Sequence, residues 1–405
     1  MTAKLPIPRV EFVALCAMMF ATIAFSIDAM LPALPEIGEE LSPGNVNRAQ
    51  LILTSFVLGM GVGTFFTGPL SDAMGRKPVV IGGAILYTVS AALAWRAQSL
   101  ELVLLGRFFQ GVGAAGPRIV TVAIIRDLMS GREMARLVSI VMMVFTIVPA
   151  LAPTIGAGII AFAGWRGVFA AFILFSVITA LWLGLRLPEP LAREDRRPFQ
   201  MNTLFSGVRE MLGIPMVVIS TAVQSLCMAM LFTMISSVQQ IYDITFGRGD
   251  TFHLWFGGIA LVSASASFLN AVLVVRLGMR LLITVALGAQ IVFSFAMLAL
   301  SLTLAPHGVW LFAAFVFWQT TVFFQAGMTL GNLNAMAMEP LGHMAGTAAS
   351  VMGAISTVLG AALAIPVGLA FDGSPVPLAA GLGVEAAIGF FLMLWIRRIE
   401  ARATV

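Results

Sequence analysis

Charged side chains are scarce. They make up 10% of the 405 residues, against roughly 25% in a soluble globular domain. A chain so poor in charge expects lipid, not water, as its solvent. Lysine is almost missing: Lys4 and Lys77 stand alone, and arginine carries the rest of the basic charge. The formal charge of +4 is small. No basic patch interleaved with aromatics occurs, which speaks against nucleic acid as a partner. The two cysteines, Cys16 and Cys227, fall inside apolar runs. They read as small hydrophobes, not as a disulfide or a zinc site. His253, His307 and His343 are scattered and build no metal cluster. No Walker lysine, nucleophile elbow or metalloprotease pair occurs, so neither an ATP-driven pump nor a hydrolase is indicated. The chain is read as no enzyme, with no metal and no cofactor.

What the chain does have is apolar length. Hydrophobic residues are 60% of it. A spanning helix needs about 20 mostly apolar residues. Twelve runs qualify, near 11–33, 49–69, 78–96, 101–125, 137–161, 166–186, 212–240, 252–275, 281–303, 309–335, 344–369 and 377–396. Backbone groups in lipid must bond internally, so runs of this length are read as helices. The first run is too long for a signal peptide and no small-x-small cleavage site precedes the prolines, so it is read as a retained helix. With the N-terminus inside, the cytoplasmic segments collect 17 lysines and arginines and the outer segments 4. Both termini are therefore expected in the cytoplasm.

The longest polar break, Leu187 to Glu210, holds three prolines and a run of charges. It divides the spans six and six. The expected architecture is an all-α membrane protein of two pseudo-symmetric six-helix bundles, 1–186 and 211–405, joined by a cytoplasmic linker, 187–210. A weak repeat supports the halves. "GPLSDAMGRKPVV" (Gly68 to Val80) joins spans two and three, and "NAVLVVRLGMRLL" (Asn270 to Leu282) joins spans eight and nine. Gly75 and Gly278 correspond, and the second copy lacks the acid. Two parallel halves suit a transporter with its site where the halves meet.

Away from the span ends, the ionisable groups are few: Asp28, Arg107, Arg118 and Glu385. Each costs about 2.5–3.5 kcal/mol at a helix centre on insertion scales. Such residues mark a pathway or form a structural ion pair. Asp28 ends the first apolar run, just before "AMLPALP". It lies in the outer half of span one, and Arg107 lies at a similar depth in span four. The two are expected to meet if those spans are neighbours. Arg118 is eleven residues beyond Arg107, close to three turns, so both project from one face. Desolvation disfavours an ionised carboxylate and a nearby cation favours it. A site that changes both terms can couple a proton to a conformational cycle.

"GVGAAG" (Gly111 to Gly116) matches a dinucleotide fingerprint literally. A membrane helix precedes it where a strand is required, so close helix packing is the better reading. "VPALAPTIGAGI" places Pro149, Pro153, Gly156 and Gly158 in span five. These residues bend a helix or permit close approach.

Together these stretches resemble the signatures of the major facilitator superfamily. "GPLSDAMGRKP" resembles its loop 2–3 motif, with Asp72, Gly75, Arg76 and Lys77 in the key places. "GRFFQGVGAAG" resembles the span-four arginine motif through Arg107, Gln110 and Gly111. The span-five run resembles the antiporter motif, with Ala152 and Ala157 where glycines often stand. "DAMLPALP" from Asp28, with "RDL" from Arg126, resembles the bicyclomycin-resistance (Bcr/CflA) branch of drug:proton antiporters. The resemblance implies multidrug efflux from the bacterial inner membrane by alternating access, powered by the proton gradient. The implied partners are a small-molecule substrate, protons and lipid, for a monomer.

It also implies roles. Asp28 would couple protons, with Arg107 as modulator. Asp72, Gly75, Arg76, Lys77 and Asp127 would form a cytoplasmic latch, with span eleven as its expected counterpart. Pro149, Pro153 and Gly156 would bend the antiporter helix. Phe25, Gln110, Arg118, Phe232, Gln239, Trp318 and Gln325 would line the substrate cavity. Arg118 departs from the general motif and favours neutral or anionic ligands. A physiological exporter of an amino acid or sugar is the nearest alternative. A proton-coupled importer, a channel and a non-transporting receptor or scaffold are the remote ones.

Overall fold

The computed structural model describes residues 6–129, 131–199, 201–305 and 307–403. Lys4, part of the cytoplasmic charge count, lies outside them. The described chain is helical and contains no strand. Its helices are α1 Arg9–Asp28, α2 Leu34–Leu41, α3 Leu51–Met74, α4 Arg76–Arg96, α5 Leu100–Leu128, α6 Gly131–Arg186, α7 Met201–Leu212, α8 Pro215–Gln240, α9 Phe252–Leu277, α10 Met279–Thr303, α11 Val309–Met338, α12 Ala345–Leu369 and α13 Val376–Ala403.

Eleven of the described segments are long and apolar enough to cross a membrane. One of them, Arg136–Arg186, holds 51 residues. Straight, it would measure roughly 75 Å, more than twice the roughly 30 Å hydrocarbon core. It is not straight. Gly164 breaks it at φ 64° and ψ −179°, in the left-handed range of φ that glycine alone adopts without strain. Spans five and six lie on either side, which gives twelve crossings.

The chain groups into two compact units. One comprises the residues to Gly44 with Ser55–Leu204, the other Asn45–Thr54 with everything from Phe205 on. In the first unit α1 packs on α5 and α6, and α4 packs on the same two helices. In the second, α8 packs on α11, α12 and α13, and α10 packs on α11 and α13. Matching α1 to α8, α4 to α10, α5 to α11, and the two spans of α6 to α12 and α13 carries the first pattern onto the second. The repeat read in the sequence is thus a repeat of packing. Gly75 (φ 106°) and Gly278 (φ 80°) occupy the same place in it, each turning the chain into the following helix.

Small residues let the helices of the first unit approach closely. A Cβ on Gly111 would overlap the Phe56 carbonyl oxygen of α3, and one on Gly113 would overlap that of Gly83 in α4. "GVGAAG" is therefore a packing stripe. Polar ties fix the α1–α2 segment to span six at both ends. At one end Arg186 donates to Glu11 from Nε (2.7 Å) and Nη2 (2.9 Å). At the other, Glu40 of α2 accepts from Trp165 Nε1 (2.7 Å) and Arg166 Nη1 (2.8 Å).

Candidate functional site

Asp28 is the last residue of α1, buried with 5% of its surface exposed. The described residues give its carboxyl neither a hydrogen bond nor an ion pair. Beside it is a polar knot tied by Arg107, which is completely buried. Arg107 Nη2 donates to the Ser26 carbonyl oxygen (2.9 Å) and Nη1 to Gln110 Oε1 (2.7 Å). The guanidinium lies over the Phe56 ring at 4.3 Å and faces Phe172 at 5.7 Å. Ser26 Oγ donates to the Thr22 carbonyl (2.5 Å) and shares a 2.6 Å bond with the Tyr87 hydroxyl. Thus α1, α4 and α5 meet in one buried network roofed by aromatic rings of α3 and α6.

No bond joins Asp28 to Arg107 among the described residues. The arginine reaches span one two residues short of the acid and bonds the backbone there. A carbonyl oxygen brings no ionic charge that must be desolvated, whereas burying an ion pair desolvates two. Span five closes the site from behind: a Cβ on Gly156 would overlap the Ala29 carbonyl oxygen, next to Asp28. Helix α6 runs on through Pro149 and Pro153, and its single non-helical residue is Gly164.

A second charge cluster occupies the opposite end of the unit. Arg76, 3% exposed, donates from Nε to Asp127 Oδ2 (2.7 Å), and from Nη1 to Asp72 Oδ1 (2.5 Å) and Ser71 Oγ (2.8 Å). Loop 2–3 and the end of α5 are thereby joined. The sequence reading missed Glu189. Its carboxylate accepts from the backbone amides of Arg76 (2.8 Å) and Lys77 (3.0 Å), the first turn of α4. Helix starts favour anions because their amides lack partners. Lys77 takes no part in the acid cluster; its Nζ donates to the Gly184 carbonyl (2.9 Å). Asp72 also binds the segment after span six, through its carbonyl and the Arg197 amide (3.0 Å).

Residues 14–365 match the Major Facilitator Superfamily. The chain belongs to that superfamily. It is 30% identical over 346 residues to a bicyclomycin resistance protein homolog of Haemophilus influenzae, covering 83% of each chain. It is 31% identical over 382 residues to the multidrug resistance protein MdtL of Salmonella heidelberg, covering 91% of this chain and 90% of that one. The solved D-xylose-proton symporter superposes with a TM-score of 0.74 over 95% of this chain and 97% of that one, at 14% identity. That likeness is one of fold. This major facilitator protein is thus a multi-pass membrane transporter.

Several expected cavity residues of this superfamily member are buried and engaged with neighbouring helices. Phe25 stacks edge-on against Phe172 (5.4 Å) and tilted against Phe175 (5.3 Å). Gln110 is fully buried and holds Arg107. Trp318, 1% exposed, donates from Nε1 to Ser294 Oγ (3.1 Å), tying α11 to α10. Gln325 donates to Cys227 Sγ (3.1 Å) and Thr329 Oγ1 (2.9 Å), so Cys227 is a bonding partner as well as a small hydrophobe. Five candidates keep free capacity or surface. Gln110 Nε2, Gln239 Oε1 and Gln325 Oε1 lack a partner among the described residues. Phe232 is half-buried, and Arg118 is exposed.

The second unit contains a polar clasp that the sequence reading did not single out. Gln50 donates from Nε2 to Gln240 Oε1 (2.5 Å), and Ser237 Oγ donates to Gln50 Oε1 (3.0 Å). Both glutamines are buried. Amides in apolar runs give a weak sequence signal, because only the fold pairs them.

Proposed function

We propose that the protein exports small amphipathic drugs and toxic compounds across the bacterial inner membrane in exchange for protons, by alternating access. The observation that carries this reading is Asp28: a buried carboxyl at the exit of span one with no bonded cation. A carboxyl so placed rests easily only when protonated, and ionisation calls for a new partner. Arg107 is the near candidate. It holds the Ser26 carbonyl two residues away, and it can exchange that acceptor for the carboxylate once the proton leaves. Loading and unloading Asp28 then changes how span one is held to span four. The names of the bicyclomycin-resistance and multidrug-resistance relatives support drugs as the cargo.

In this reading no chemical bond is made or broken, no cofactor is needed, and the proton gradient is the energy source. The protein works as a monomer surrounded by lipid, with both termini in the cytoplasm. Phe232, Gln239 and Arg118 contact the compound, while Phe25, Gln110, Trp318 and Gln325 hold the helices that present them. The cluster of Asp72, Gly75, Arg76, Lys77 and Asp127 latches one state. Pro149, Pro153 and Gly156 shape span five behind Asp28.

The test is a drug-tolerance panel in a host stripped of its own pumps, paired with proteoliposome flux. The native protein raises tolerance and couples efflux to an imposed proton gradient; Asp28→Asn does neither. Gradient-driven export by Asp28→Asn would remove the assignment.

A further inference from the structure

We propose that Arg118 is a specificity-determining cation that selects amphipathic compounds bearing an anionic group, such as a sulfonate or carboxylate. The proposal deepens the export reading above and rests on it.

Depth comes first. Helix α5 has 29 residues, about 43 Å at 1.5 Å each. Arg118 lies ten residues before its end at Leu128, about 15 Å along the axis. That places it well within a hydrocarbon core of roughly 30 Å. At such depth a cation facing lipid is disfavoured, and intramembrane cations face a bundle interior or water.

Direction comes next. The exposed apolar residues Leu102, Leu105 and Phe109 define the outer face of the upper part of α5. At about 100° per residue they lie roughly 140–180° around the helix from Arg118. Arg107 and Gly111 lie within about 20° of it by the same count, and both are buried. Arg118 therefore continues the inward stripe of the helix, yet it is exposed. Its neighbours on that face, Ala114, Ala115, Thr121 and Ile125, are buried, whereas Arg118 and Val122 remain exposed. A side chain both deep and reachable is a cavity wall.

Charge comes last. The described residues give Arg118 no ion pair and no hydrogen bond. The nearest acid along α5, Asp127, is taken up by Arg76 and Arg126. An uncompensated guanidinium against apolar walls attracts an anion strongly and repels a cation, because little water screens it. Its fork also pairs two oxygens at once, which suits carboxylates and sulfonates.

The experiment uses the purified full-length protein and two matched fluorescent probes, dansyl sulfonate and its uncharged sulfonamide. The native protein should bind the sulfonate at least about 10-fold more tightly than Arg118→Gln does, the loss expected for one charge-assisted contact. Sulfonamide affinity should fall far less than sulfonate affinity, which also reports that the variant is folded. Arg118→Lys should recover part of the sulfonate affinity. Equal sulfonate binding with and without Arg118, sulfonate binding by neither protein, or a parallel loss of sulfonamide binding would each overturn the proposal. The assay needs no proton gradient, so its failure is distinct from a failure of export. Export without Arg118-dependent anion binding would leave the transporter reading standing and remove this one.

Discussion

Gly156 of span five lies against the Ala29 carbonyl with no room for a side chain between them. That contact sets how tightly span five covers the residue after Asp28. Gly156→Ala must push the two segments apart, and overpacking of this kind costs about 1–3 kcal/mol. The expected outcome is a lower melting temperature for the purified protein and weakened proton coupling. Gly158, whose Cβ would meet nothing, is the control: Gly158→Ala should leave both unchanged.

Arg107 spans two acceptors and two rings, which a lysine cannot copy. Its planar fork reaches the Ser26 carbonyl and Gln110 Oε1 together while its face covers Phe56. An ammonium offers a point charge and no fork. Arg107→Lys should therefore abolish transport while keeping the charge. Tyr87, bonded to Ser26 Oγ, gives a milder case. Tyr87→Phe removes one hydrogen bond and should cost about 1 kcal/mol in stability. Proteoliposome flux and thermal unfolding of both variants would check this. Undiminished flux in Arg107→Lys would contradict the fork argument.

The two acids around Arg76 should not contribute equally. Asp127 is 15% exposed and Asp72 43% exposed, around an arginine that is 3% exposed. Exposed pairs are worth about 0–1 kcal/mol because water screens them. Stripping a partner from a buried charge costs about 3–5 kcal/mol at full burial. Asp127→Asn should thus destabilise the protein more than Asp72→Asn, and a double-mutant cycle through Arg76→Gln should return the larger coupling for Asp127. Equal couplings would show that the packing around Asp127 lends it no extra strength.

Sequence legibility followed the physics of each feature. The spans were legible because lipid forces long apolar runs into helices, and that rule needs no knowledge of neighbours. Gly75 and Gly278 were legible as a repeat because a turn with positive φ leaves a glycine behind. The partner of Arg107 was not. A buried arginine can bond a carboxylate or a backbone carbonyl, and the carbonyl leaves no letter in the sequence. The contacts of Phe25 and Trp318 were hidden for a related reason. An aromatic ring in a membrane helix has the same letter whether it faces a cavity or a neighbouring ring. Arg118 and Arg107 share a stripe by spacing, but only packing separates the sealed end of that stripe from the open one.

Glu189 is the residue whose role the structure adds, and its removal makes a local prediction. Its carboxylate accepts from the amides of Arg76 and Lys77, and its own Oε1 also takes the Leu191 amide at 3.1 Å. It thereby pins the chain after span six onto the start of span three. Gly75 makes this fit possible: a Cβ there would stand 3.0 Å from Glu189 Oε2. Glu189→Ala frees the first amides of α4 and should cost about 1 kcal/mol, the usual worth of a helix cap. Hydrogen exchange should accelerate at Arg76 and Lys77 while the middle of α4 stays protected. Glu189→Gln, which keeps an acceptor but not the charge, should fall between. Unchanged exchange at both amides in Glu189→Ala would show that the cap carries no stability.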